Sequence, residues 1–200
     1  MSGLVGAIVA GGAATRFGGA PKGLHCVGGA RIVDRVAAAL RATTSELMIV
    51  SNASDATEWL PGVPVHADVR VERGSLIGIH TALTYANGDV LIVAWDMPFV
   101  TPALLRMIRD RPRDDALAVF PEGPSGPEPF CALYTRACRP IIEATVDSGD
   151  LRLSHLIARL PTRHVIPIDE IARLGNPGTL LFNVNSRDDL ARAEAIDASH

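Results

Sequence analysis

At 200 residues, with no Pro/Gly/Ser-rich linker, the chain is the length of one compact domain, expected over 1–200. A hydrophobic share of 48% with only 4% aromatic residues excludes a disordered chain and predicts a core of Ala, Val, Leu and Ile, the mixture of layered α/β proteins. A formal charge of -3 excludes a broad nucleic-acid or membrane surface, although a local cationic pocket survives such an average.

The first predicted strand is LVGAIVA, 4–10, a short apolar run of the kind buried on both faces. It runs into a loop carrying Gly11, Gly12, Gly18 and Gly19 and only two cations, Arg16 and Lys22. Backbone without side chains lets a ligand approach closely, and unpaired N–H groups bind anionic oxygens, so phosphate is the expected ligand. Arg16 offers a fork of donors for two phosphate oxygens, and Lys22 a compact charge that can follow charge developing at phosphorus. The spacing is neither GxxxxGK[ST] nor GxGxxG, so the two common nucleotide loops are excluded.

RIVDRVAAAL, 31–40, places Ile32, Val33, Val36 and Leu40 on one helical face; ELMIV, 46–50, is the next strand. A second helix is predicted over 77–86, with Ile79, Leu83 and Ala86 on one face, and a third strand over 89–95 ending at Asp96. Thr101-Pro102 suits an N-cap and first helical position, 116–120 reads as a strand, and PEGPSGPEP, 121–129, reads as a mobile loop before the apolar FCALY. Ser186 and Asp189 form a capping-box pattern after TLLFN. Strand and helix alternate, which predicts a mostly parallel, Rossmann-like three-layer α/β/α sheet whose ligands lie beyond the carboxyl ends of the strands. The glycine loop, Asp96 and Asn183 then share one edge.

Cys26, Cys131 and Cys138 form no CxxC pair, and the six histidines lack metal-ligand spacing, so zinc, disulfide and thiol chemistry are not indicated. No run approaches the ~20 apolar residues of a membrane span, and no leader pattern opens the chain, so a cytoplasmic, unexported protein is expected.

AGGAATRFGGAPK, 10–22, resembles the LAGGxxxRMGxxDK signature that opens the molybdenum cofactor guanylyltransferases, the MobA-like nucleotidyltransferases. VSN at 50–52, Asp68 before GSLIGI, WDMPFV at 95–100, EPFCALY at 128–134 and FNVNSRDDL at 182–190 follow in that family's order. The resemblance implies the nucleotide-diphospho-sugar transferase type of fold and transfer of GMP from GTP to the terminal phosphate of molybdopterin or molybdenum cofactor. By position it implies nucleotide contacts at Ala10, Gly11, Gly12, Asn52, Asp68 and Gly78, catalytic roles for Arg16, Lys22 and Asp96, and Mg2+ at Asp96. It further implies that Asn183 and Asn185, in the NVN motif, lie near the pterin-side substrate and metal, and that transient contact with molybdoenzyme chaperones or insertion proteins follows transfer. Pro21 stands where the family has Asp, Trp95 where it has Cys, and GSLIG where it has GPLAG. The alternatives are CMP transfer to the same pterin, nucleotidyl transfer to a sugar phosphate or another small phosphate, and a nucleotide-binding regulator without turnover.

Overall fold

The computed structural model describes residues 3–11, 21–72, 74–86, 88–112 and 114–199. In chain order the elements are β1 (Val5–Val9), a 3-10 turn (Lys22–Leu24), β2 (Cys26–Val27), β3 (Ala30–Arg31), α1 (Ile32–Arg41), β4 (Glu46–Val50), α2 (Ala56–Trp59), β5 (Val65–His66) and α3 (Ser75–Tyr85). They continue with β6 (Val90–Ala94), α4 (Pro102–Arg109), β7 (Ala118–Gly123), β8 (Gly126–Pro127), β9 (Cys131–Tyr134), a second 3-10 turn (Arg136–Cys138), α5 (Arg139–Asp147), α6 (Leu153–Arg159), β10 (Arg163–Ile166), α7 (Ile168–Ile171), α8 (Pro177–Leu180) and α9 (Arg187–Asp197).

The main sheet runs in the order β10-β7-β9-β6-β1-β4-β5, with β8 paired to β7. β1 lies parallel to both β4 and β6, with Val5 opposite Glu46 on one side and Val90 on the other. Every residue of β1 and β6 is buried, which explains why both are unbroken apolar runs rather than alternating ones. β9 runs antiparallel to β6 and β7. The sheet is therefore mostly parallel, as the alternation of elements predicts, with β9 and the short β8 reversed.

Side chains alternate across the sheet into two cores. Ile8, Ile49, Leu91, Val93 and Leu133 face one side with α1, α4 and the C-terminal helices, while Ala7, Val9, Met48, Ile92 and Ala132 face the other with α3, α5 and α6. This makes the three layers. α1 buries Ile32, Val33, Val36 and Leu40, the predicted face. Among the described residues no helix is long and apolar enough to cross a membrane.

One expectation is corrected. The stretch 121–129 is not a simple loop: β7 continues to Gly123 and folds back through β8, pairing Glu122 with Pro127 and Gly123 with Gly126. Proline is tolerated at a strand position that supplies no ladder donor, so Pro121 stays in register opposite Ile166 while its composition reads as a loop.

Candidate active site

β1 is the point at which the sheet's connections reverse direction: β4 and β5 build outward on one side, and β6 returns on the other. In such sheets a crevice opens beyond the carboxyl ends at that point. Here a cavity of about 1040 Å³ occupies it, and nine of the candidate positions line it: Ala10, Gly11, Lys22, Asn52, Asp68, Gly78, Asp96, Asn183 and Asn185. Gly12 and Arg16 lie outside the described residues. The strand ends are tied into one rim, with Ala10 N–H donating to Val50 O (2.9 Å), Trp95 N–H to Val9 O (3.2 Å) and Ala94 N–H to Phe130 O (2.8 Å).

Lys22 reaches this rim because its 3-10 turn rests on an indole. A Cβ on Gly23 would lie 2.6 Å from Trp95 Cε3, so only glycine lets the turn settle so closely. Trp95 in turn stacks on Trp59 with centroids 4.8 Å apart, and Trp59 Nε1 donates to Asp55 Oδ2 at 3.1 Å. From that support Lys22 Nζ donates to Asn185 Oδ1 at 3.0 Å and stands 3.9 Å from Asp96 Oδ2. The NVN segment is held to the same carboxylate-bearing turn: Val184 N–H donates to Asp96 O (2.9 Å), and the Asp189 carboxylate accepts from Asn185 N–H (3.1 Å). Ser186 caps α9 by accepting from Asp189 N–H, as the capping pattern predicts.

Asp96 is almost fully buried, and burial pushes its carboxyl above the ordinary range while Lys22 pulls it back. Glu128 lines the cavity too, and burial raises its carboxyl, opposed by hydrogen bonds from Phe130 N–H and the Asn183 side chain and reinforced by the charge of Asp96. Asn52 and Asp68 engage each other: Asn52 Nδ2 donates to Asp68 Oδ2 (2.6 Å) and Asp68 N–H to Asn52 Oδ1 (2.8 Å), with Thr81 Oγ1 donating to Asp68 Oδ1 (3.3 Å). Asn183 Nδ2 donates to Leu181 O at 3.3 Å. Gly78 touches the cavity, and an added Cβ there would lie 2.6 Å from Val9 Cγ1, so it is also where α3 approaches β1.

Glu128, Asp55 and Trp59 were not assigned site roles from sequence. Glu128 carried a readable signal, an acidic residue separated by Pro129 alone from the apolar run FCALY. Its use depends on β9 being antiparallel, which brings the start of that strand to the carboxyl ends of the others. Among the described lining side chains, Asp55, Asp68, Asp96 and Glu128 face one ammonium, Lys22. Among the described residues no cluster of three or more His, Cys, Asp or Glu side chains suits a metal ion. Magnesium does not require one, since it commonly takes one or two protein carboxylates and completes its shell with water and phosphate.

The sheet opens its switch-point crevice onto a bare strand end, an ammonium and a buried carboxylate, groups whose chemistry suits phosphate oxygens and a divalent ion. Its class is the nucleotidyltransferases. The chain belongs to the MobA-like NTP transferase family, whose domain model matches residues 6–165. A molybdenum cofactor guanylyltransferase of Desulfosudis oleivorans is 32% identical over 198 residues, covering 98% of this chain and 96% of the relative. The crystal structure of molybdopterin-guanine dinucleotide biosynthesis protein A from Archaeoglobus fulgidus superposes with a TM-score of 0.83 at 25% identity, covering 98% of this chain and all of that one. A Mycobacterium tuberculosis protein solved as a complex with manganese shares the fold, with a TM-score of 0.66, 20% identity and coverage of 97% and 98%.

Proposed function

We propose that this nucleotidyltransferase transfers GMP from GTP to the terminal phosphate of molybdopterin or its molybdenum-bearing form, giving the guanine dinucleotide cofactor and pyrophosphate. The observation that carries the reading is the convergence of Lys22, Asn185 and Asp96, within 3.0 and 3.9 Å, on the cavity at the end of β1. A terminal phosphate oxygen of the pterin attacks the α-phosphorus in line, a new P–O bond forms, and the bond to pyrophosphate breaks. Positioning and charge neutralisation carry such a reaction.

Ala10, Gly11 and Gly12 supply backbone for the phosphates, and Lys22 and Arg16 supply positive charge. The hydrogen bond from Lys22 Nζ to Asn185 Oδ1, 3.0 Å, orients the ammonium at the cavity. Asp96 is the residue that would hold Mg2+, which neutralises phosphate charge when bound. The fit rests on the donor set: buried carboxylate oxygens with too few cations among the described side chains to balance them. Asn52 and Asp68 hold each other rigidly at the edge of the cavity and present hydrogen-bonding groups for the base and ribose, with the backbone of α3. Asn183 faces the pterin-side substrate. A cytoplasmic setting fits the three unpaired cysteines, and the labile product is handed to a molybdoenzyme chaperone or insertion protein.

The test is pyrophosphate release by the pure protein with Mg2+, molybdopterin and either GTP or CTP. Release with GTP alone is expected, whereas CTP-specific release, or binding without release, would replace the reading. Lys22→Ala and Asp96→Ala should remain folded and lose on the order of 10²-fold or more in kcat. Turnover near wild type in either variant removes that residue from its role.

A further inference from the structure

Resting on that reading of Asp96, the geometry points to Glu128 as a second carboxylate ligand of the same divalent cation. The strand register places it there. Cys131 of β9 lies opposite Val93 of β6, and Ala94 N–H donates to Phe130 O at 2.8 Å, so the residues just before β9 lie alongside those just after β6. Both Glu128 and Asp96 then line the cavity from neighbouring strand ends.

Glu128 is also fixed in place. Its backbone N–H donates to Pro121 O at 2.9 Å, and its Oε1 accepts from Phe130 N–H at 3.0 Å. Asp55 accepts from Trp59 Nε1 and Asp68 from Asn52 and Thr81, while Glu128, held by Phe130 N–H and the Asn183 side chain, is the one that lies near enough to Asp96 for that charge to raise its carboxyl. Asp96 and Glu128 remain as two like charges in a sheltered space. Lys22 stands 3.9 Å from Asp96, and among the described residues no cation forms an ion pair with Glu128. A triphosphate adds several further negative charges, more than Lys22 and the proposed Arg16 together balance. Asp96 and Glu128 together would hold a divalent cation that offsets their like charges and leaves coordination positions for phosphate oxygens and water, a donor set that suits Mg2+.

The experiment is Mn2+ titration of the nucleotide-free protein, reading free Mn2+ by electron paramagnetic resonance, for wild type, Glu128→Gln, Glu128→Asp and Asp96→Asn. Gln keeps an oxygen for the Phe130 N–H, so the variant should fold, as its thermal transition will report. Glu128→Gln should weaken Mn2+ binding about tenfold or more, with Glu128→Asp between it and wild type. If Asp96→Asn weakens binding while Glu128→Gln stays within about twofold of wild type, the role of Glu128 is overturned and that of Asp96 stands. If neither substitution matters, or the wild-type protein binds no Mn2+ saturably, both assignments fall.

Discussion

Gly78 tests how tightly α3 is pressed onto the central strand. A Cβ at this position would lie 2.6 Å from Val9 Cγ1, about 1 Å inside the ordinary 3.5–4.0 Å contact. Neither side can yield easily. Val9 is β-branched, 5% exposed and on a strand bonded on both edges, while α3 buries Leu76 through Leu83 without a break. Overpacking of this kind costs about 1–3 kcal/mol, and replacing glycine by alanine inside a helix returns about 1 kcal/mol, so Gly78→Ala should destabilise by up to about 2 kcal/mol. In a Val9→Ala background the nearest remaining atom of residue 9 is Cβ, 3.9 Å away, and the clash is gone. There Gly78→Ala should instead stabilise by about 1 kcal/mol. The double-mutant cycle, run by urea denaturation with unchanged m-values, should give a coupling of about 1–3 kcal/mol, or roughly 2–4 °C in Tm per kcal/mol. An equal effect of Gly78→Ala in both backgrounds, within about 0.5 kcal/mol, would refute the packing argument. GTP affinity lost in Gly78→Ala and regained in the double variant would assign the residue to packing rather than ligand contact.

Gly23→Ala should lower kcat on the order of 10²-fold by displacing Lys22, because the new methyl would meet the Trp95 ring at 2.6 Å and its backbone oxygen at 2.9 Å; undiminished turnover would break that link. In the native protein a thiol reagent should titrate Cys26 promptly and the other two cysteines only after denaturant, since Cys26 is exposed, whereas burial raises the Cys131 thiol and pushes Cys138 up to about 12. Two fast thiols would contradict this. His80 is buried with neither ring nitrogen hydrogen-bonded, and burial lowers it from its ordinary 6.5, with Arg70 and Arg139 adding to the effect and Glu143 and Asp147 opposing it. The unfolded chain therefore takes up a proton near pH 6.5 that the folded one resists, so stability holds above that pH and falls below it. Tm measured at successive pH values should drop less in His80→Leu than in wild type over the acid range, and parallel curves would exclude His80 as the source.

What was legible follows from what each element has to bury. β1, β4 and β6 are central, covered on both faces, and so appear as apolar runs with almost the observed ends. β10, Arg163–Ile166, was not singled out: only Ile166 is fully buried, and its other residues are exposed or half-buried. The direction of β9 has no local signature at all. FCALY would read the same parallel or antiparallel, yet the reversal decides which end of it meets the cavity and therefore whether Glu128 takes part. The charge of the cavity has the same origin. Two cations in one loop can be read locally, but Asp55, Asp68, Asp96 and Glu128 arrive from four separate segments, and only the folded sheet makes them neighbours. Their sum reverses the sign that the glycine loop alone suggests for the described lining. On the proposed reading, in which a triphosphate enters this space, a divalent cation would compensate carboxylates that the strand order brings together, and would not depend on any single aspartate alone.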